Sequence, residues 1–221
     1  MKKVAIIHTS FVSVNDLKMF FTEIIPEAEI INIVDDSLLT EVIRNDGITP
    51  AVVRRMCIYA MQAETLGVDL IFNQCSSVGE AFDIARKCVS IPTLKVDQAM
   101  AEKAVEMGKT ITIIATVAST LGPSCRLIKS IAQQKGKEIY INSCLVDGAL
   151  EVLMKEGNKE KHNLMVLEEV KKNACSSDVI VLAQGSMISL LPQLKGIKAN
   201  ILTSPRLGVE RARMILGLSK L

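Results

Sequence analysis

One tract of this chain is written twice. Asp69-Leu70-Ile71-Phe72-Asn73-Gln74-Cys75-Ser76-Ser77-Val78 returns as Asp178-Val179-Ile180-Val181-Leu182-Ala183-Gln184-Gly185-Ser186-Met187. In each copy an Asp opens an apolar run and a short polar turn closes it. Cys75 and Gln184 fall on the same step, and Ser77 and Ser186 follow two residues later. A second pair recurs at nearly the same offset: Ile6-Ile7-His8-Thr9 and Ile113-Ile114-Ala115-Thr116. Two local matches at one offset imply a duplicated unit. A duplicated unit predicts two lobes of like topology, facing each other across a cleft lined by polar strand ends.

Composition narrows the class. The chain has 221 residues, enough for one large domain or two small ones. Apolar residues make up 49%, but aromatics only 3%, and Trp is absent. The core must be aliphatic, which suits βα units with Val- and Ile-rich buried strands. Twenty-six basic and 24 acidic residues are mixed along the chain for a net charge of +2. There is no basic stripe with interleaved aromatics, so no nucleic-acid partner is expected. Met1-Lys2-Lys3-Val4 leads straight into a strand pattern, with too short an apolar stretch for a signal peptide. No apolar run reaches membrane-spanning length. The expected location is cytoplasmic, without membrane association. The six cysteines (57, 75, 88, 125, 144, 175) form no CxxC pair, and the two histidines, His8 and His162, are far apart. No zinc site is expected, and the cysteines are expected to be thiols.

Strand and helix patterns alternate throughout. Strands are predicted at 3–8, 29–34, 69–73, 91–95, 110–115, 137–142, 178–183 and 199–202. Helices are predicted near 15–25, from Thr49-Pro50 to a stop at Gly67, and at 78–88, 97–107, 121–134, 146–155, 159–174 and 186–195. A last helix follows Ser204-Pro205. Thr49 reads as an N-cap with Pro50 in the first helical position. Val52, Val53, Met56, Ala60, Ala63 and Leu66 mark that helix's buried stripe; Leu164, Leu167, Val170 and Ala174 mark the stripe of 159–174. The fold class is α/β, with mostly parallel sheets flanked by helices. In such sheets ligands bind beyond the carboxyl ends of strands, so the turns after 3–8, 69–73, 110–115 and 178–183 are the places to search. No GxGxxG or GxxxxGK[ST] loop is present, which disfavours nucleotide chemistry through those motifs.

Cys75 is the leading chemical candidate. It follows a buried strand and precedes a helix, where N–H groups and the helix dipole would favour thiolate. The plainer reading is an inert packed cysteine, weighed down by the turn position and the duplication. Thr9, Ser10, Ser76, Ser77 and Thr116 could offer hydroxyl and amide donors to a carboxylate, beside their ordinary work as helix caps. Cys144, in Asn142-Ser143-Cys144-Leu145, reads as just past a strand and is kept as a candidate beside its packing role. Cys57, Cys88, Cys125 and Cys175 fall in helical segments. His8 is read first as structural, and Asp69 and Asp178 as local caps at the wrong strand end.

Three stretches carry a resemblance: Cys75-Ser76-Ser77-Val78-Gly79, Ile114-Ala115-Thr116-Val117-Ala118-Ser119-Thr120 and Val181-Leu182-Ala183-Gln184-Gly185-Ser186-Met187. They resemble the aspartate/glutamate/hydantoin racemase superfamily, over essentially the whole chain. The resemblance implies two pseudo-symmetric α/β lobes, 1–96 plus 205–221 and 97–204, with the active site in the cleft between them. It implies a small-molecule carboxylate substrate and no metal, pyridoxal phosphate, nucleotide or other cofactor; homodimers are common in the superfamily. It also implies one cysteine on each lobe, one removing the α-proton and the other returning a proton on the far face. Cys75 matches the first. Ser76, Ser77, Thr9 and Ser10 match polar substrate-binding positions, and Thr116, Val117 and Ala118 match the turn whose amides hold the carboxylate. The second cysteine falls on Gln184, next to Gly185 and Ser186.

That departure matters chemically. A carboxamide has no accessible pKa for general acid–base work. A single thiol can protonate a carbanion on one face, as in a decarboxylase, or carry a proton between neighbouring carbons, as in an isomerase. Gln184 would then orient a substrate oxygen. Two-base racemisation would need another group, such as Cys144 or a water. The expected activity is a cofactor-independent isomerase or racemase of a small carboxylate; the alternatives are a single-cysteine lyase and a carboxylate-binding protein without turnover.

Overall fold

The computed structural model describes residues 1–12 and 14–218. It divides into two compact units, one formed by 1–98 with 205–221 and the other by 99–204.

The first unit is a four-stranded parallel sheet in the order β2-β1-β3-β4. Its strands are β1 (Lys2–His8), β2 (Ala28–Val34), β3 (Leu70–Asn73) and β4 (Thr93–Lys95). Helices α1 (Val14–Ile24), α2 (Ser37–Arg44), α3 (Pro50–Thr65) and α4 (Gly79–Ala85) connect them. Alternation along the strands supplies two cores. Ala5, Ile7 and Ile71 face Leu38, Val52, Met56, Ala60 and Phe82 on one side. Val4, Ile6, Leu70 and Phe72 face Leu17, Phe21 and the last helix on the other. Period-two burial on both faces is why these strands read as unbroken apolar runs. Helix α2 escaped the sequence reading: at eight residues it is a short amphipathic turn carrying only Leu38 and Val42 inward. Thr49 caps α3 as expected, its hydroxyl accepting from Val52 N at 3.2 Å. Of the expected α3 stripe, Val52, Met56, Ala60 and Ala63 are buried, while Leu66, in the terminating turn, is exposed.

The second unit repeats the plan with the order β6-β5-β7-β8, again all parallel. Its strands are β5 (Thr110–Ala115), β6 (Tyr140–Leu145), β7 (Val179–Leu182) and β8 (Asn200–Thr203). Helices α5 (Gln98–Met107), α6 (Ala118–Gln134), α7 (Ala149–Met154) and α8 (Lys159–Asn173) precede or connect them, and a 3-10 segment spans Gly185–Leu194. Strand β6 lies three residues later than expected. Helix α6 runs to Gln134, and Lys137 N returns to Ala132 O at 2.9 Å, so the chain pairs only from Tyr140. Cys144 is therefore inside the strand, opposite Ile114, rather than past its end. Helix α7 starts later than expected because Gly148 holds a left-handed φ of 72°. The inward face of α8 is His162, Asn163, Val166 and Val170; Leu164, expected inside, is exposed.

One device recurs in both units. Asp69 accepts from Lys3 N at 2.8 Å, and Asp178 accepts from Lys109 N and Thr110 N, both at 2.9 Å. Each ties the entry of one central strand to the other. For Asp69 the Lys2 ammonium, then the Lys3 amide, hold the carboxyl below its usual range; for Asp178 the Thr110 and Lys109 amides do so.

Helix α9 (Ser204–Ile215) follows β8 but packs in the first unit, burying Val209, Ala212 and Leu216 against β1, β3 and β4. Gly208 permits this approach: a Cβ there would meet Val96 O at 2.7 Å and the Phe72 ring at 3.1 Å. Gly208→Ala is expected to destabilise by about 1–3 kcal/mol through that overlap, read as a lower denaturant midpoint at unchanged slope.

Candidate active site

The carboxyl edge of the first sheet is built from four strand ends. Backbone hydrogen bonds set its frame: Asp35 N to His8 O, Gln74 N to Ile7 O and Val96 N to Asn73 O, at 3.1, 3.1 and 2.9 Å. Beyond β3, Cys75 keeps extended torsions and opens a 3-10 turn, Ser76–Val78, that runs into α4. The Cys75 carbonyl receives the Asn73 side-chain amide at 3.0 Å and the Val78 N–H at 3.3 Å. Asn73 pins the turn from the strand that delivers it, and Val78 closes it from within. Thr9, Ser76 and Ser77 are buried polar residues here; Cys75 and Ser10 are half-buried.

Burial pushes the Cys75 thiol above its usual value. Hydrogen bonds from the Thr9 hydroxyl, the Ser77 and Val78 amides and the Ser77 side chain oppose burial without overcoming it. The expected lowering by a helix terminus is thus present as separate donors, but desolvation of the thiolate outweighs it. Cys75 rests as a thiol, a proton donor in its ground state. Its alkylation by iodoacetamide is expected to be slow at pH 7 and to rise about tenfold per pH unit until the thiol titrates. Peptide mass spectrometry would read this; a rate already flat at pH 7 would show that the donors prevail.

His8, fully buried, places Nε2 2.9 Å from Asn32 Oδ1. Burial lowers its pKa and the Asn32 contact only partly offsets this, so the ring is neutral. Two further carboxylates flank this edge. Asp35 accepts from Ser37, Arg55 and Tyr59 at 2.6–2.8 Å, and although burial raises its pKa these bonds hold it below normal. Asp97, just past β4, was read only as the start of a helix. It is 5% exposed and bonds the Ser76 hydroxyl, and burial pushes its carboxyl up against the effects of Ser76 and Lys95. Its place after a strand, the same place that marked Thr9 and Cys75, was the available signal.

In the second unit the equivalent edge is closed on itself. Gln184 opens the 3-10 segment at Gly185 with extended torsions, as Cys75 opens its own turn. Its Oε1 accepts from Thr116 N at 2.7 Å and from the Thr116 hydroxyl at 3.2 Å, and its Nε2 donates to the Thr120 hydroxyl at 3.1 Å. The carboxamide thereby joins the turns after β5 and β7. The Thr116 amide, counted above among carboxylate donors, is directed at Gln184; Val117 is buried, Ala118 is exposed, and Gly185 and Ser186 are half-buried. Cys144 packs with Val166 and Val170 of α8, its sulfur 3.8 Å from Asn173 Oδ1. Burial, then Glu169, raises its pKa. Cys57, on α3, is held up by burial and by the neighbouring Cys88 thiol.

Two like-folded parallel-sheet units, with a cysteine turn on one and its counterpart glutamine on the other, define a recognisable class of α/β protein. The chain belongs to the Asp/Glu/hydantoin racemase family, whose model matches residues 9–212. Among solved structures, a glutamate racemase from Francisella tularensis subsp. tularensis SCHU S4, in complex with D-glutamate, aligns with a TM-score of 0.74 at 14% identity. That alignment covers 100% of this chain and 84% of the other. An allantoin racemase from Klebsiella pneumoniae gives 0.72 at 16% identity, covering 100% and 91%. An aspartate racemase homologue from Pyrococcus horikoshii OT3 gives 0.68 at 16% identity, covering 98% and 100%. At such identities these likenesses establish the fold. Curated protein sequences give no match. Among the described residues, no helix is long and apolar enough to cross a membrane.

Proposed function

We propose that this chain is a cofactor-independent isomerase of racemase type, acting on a small carboxylate, in which Cys75 moves a proton at the carbon beside a carboxylate or carbonyl. The observation that carries this reading is the Cys75 turn: a recessed thiol at a strand end, surrounded by Thr9, Ser77 and Val78 donors. Thr9, Ser10, Ser76 and Ser77 contribute hydroxyls and amides to the substrate. Oriented donors of this kind stabilise the enediolate that proton removal creates. Gln184 organises the Thr116 and Thr120 turns and moves no proton.

A lyase reading draws on a specific pair of observations. Gln184 replaces a second thiol and is already engaged on both ends of its amide, and Cys75 rests protonated. One thiol that donates to a carbanion suffices after decarboxylation, because the departing carbon dioxide leaves its bonding pair on the carbon that the thiol protonates. Incubation with single enantiomers of aspartate, glutamate, hydantoins and hydroxy-acids, followed by chiral chromatography, separates the readings. Appearance of the antipode is the expected result. Carbon dioxide from a malonate-type acid, without any antipode, would favour the lyase. Ligand-induced stabilisation with neither product would leave only a binding protein.

A further inference from the structure

All six cysteines are free thiols. Several keep company other than sulfur. Cys75 meets Thr9, Ser77 and Val78, Cys144 meets Asn173 and Glu169, and Cys125 feels the charges of Lys129 and Arg126. Cys57 and Cys88 differ: their side chains meet each other as hydrogen-bond partners.

The packing of α3 against α4 brings them together. Cys57 lies midway along α3 and packs, half-buried, on the core that includes Ala81, Phe82 and Ala85 of α4. Helix α4 runs into the 3-10 turn Arg86–Cys88, which leaves Cys88 at the surface. Two residues on, Ser90 N donates to Glu64 Oε1 at 2.7 Å, so the chain leaving Cys88 is tied to the same helix that carries Cys57. Val89 and Ile91 pack onto the same core. Pro92 O then accepts from Ile71 N at 3.0 Å, near the start of β3. Cys88 therefore lies toward the edge of the sheet where strands begin, whereas the Cys75 turn lies at the edge where they end. The pair is separate from the candidate active site.

We propose that Cys57 and Cys88 form a reversible thiol–disulfide site, oxidised by a low-molecular-weight disulfide, that staples the end of α4 to α3. The exposed Cys88, as thiolate, attacks one sulfur of the oxidant; the oxidant's S–S bond breaks and one small thiolate leaves. Cys57, having lost its proton to water, attacks the Cys88 sulfur of the mixed disulfide and expels the second small thiolate. Two protein thiols are thereby oxidised to one disulfide, and the oxidant is reduced to two small thiols that take up the two protons. Burial of the Cys57 thiol makes the second step the slower one, so the mixed disulfide on Cys88 precedes the bond. The bond closes the loop 57–88 and restricts the unfolded chain, which stabilises a fold whose geometry accepts it.

The test treats the reduced full chain with glutathione disulfide, alkylates the remaining thiols and maps peptides without reduction. Trypsin leaves Cys57 and Cys75 together on 56–86, so a second cut after Glu64 is needed to tell them apart. The expected result is a Cys57–Cys88 linked peptide, formed at a rate independent of protein concentration, with Cys75 alkylated. The thermal midpoint should rise by about 4–16 °C and return on treatment with dithiothreitol. Cys57→Ser should stop at the glutathione adduct on Cys88, with no rise in midpoint; Cys88→Ser should give neither adduct nor bond at this pair. Persistence of the Cys88 adduct in the wild type, without a linked peptide, would overturn the site. So would linkage of Cys88 to Cys75 or to a second chain. A bond that forms but lowers the midpoint would mean capture of an opened state, and would overturn the staple.

Discussion

Replacing Cys75 by alanine is expected to cut turnover by about 10²–10⁴-fold, the range that a positioned general acid or base contributes. The fold should hold. The side chain is half-buried, and the turn is fixed by the Cys75 carbonyl, which accepts from Asn73 and Val78 whatever the side chain. Cys75→Ser separates chemistry from shape, because a hydroxyl keeps the contacts to Thr9 and Ser77 but is a far weaker acid than a thiol. Both variants should unfold within a few degrees of the parent. The pH profile carries a sign. If Cys75 acts as a base, the rate should rise with pH toward the raised thiol pKa, because only the thiolate can take a proton. If it acts as an acid alone, the rate should hold from neutral pH and fall as the thiol ionises. Full activity in Cys75→Ala would move the chemistry elsewhere.

Replacing Phe72 by alanine is expected to cost about 3–5 kcal/mol. Phe72 is fully buried on β3, its ring edge-on to Phe21 with centroids 5.6 Å apart. It also forms the surface onto which Gly208 brings α9. Its loss opens a cavity where strand, first helix and last helix meet, and rigid neighbours close such a space only in part. In a chain of this size that is about 6–20 °C in the thermal midpoint. Because Asn73 and the Cys75 turn follow directly, activity should fall before global unfolding does. A shift under 2 °C would contradict the packing described here.

The duplication and the parallel sheets were legible because buried strands declare themselves as aliphatic runs, and both units use the same run. The Asp69 and Asp178 caps were legible as strand-end residues, although which strand they tie depends on tertiary pairing. Strand β6 was misplaced because its sequence lacks that aliphatic run: Tyr140, Asn142, Ser143 and Leu145 are largely exposed. On α8 the inward face went to His162 and Val166 instead of Leu164, a rotation that local hydrophobicity alone does not resolve. Cys75 was found from position. Its resting protonation was not, because desolvation depends on everything folded around the thiol. Asp97 was hidden for a related reason: an acidic residue before a helix is ordinarily a cap, and only burial with an unmatched oxygen distinguishes this one. Gln184 stood out as a missing cysteine, but its bonds to Thr116 and Thr120 span sequence distances that no local pattern reports.

The most direct measurement is proton NMR in deuterated water, following the C–H signals of aspartate, glutamate, hydantoins, and hydroxy- and oxo-acids with intact protein and with Cys75→Ala. Loss of a signal at the carbon beside the carboxylate or carbonyl, only with intact Cys75, is the expected result. Unchanged signals across the panel with folded, ligand-binding protein would contradict proton transfer by Cys75.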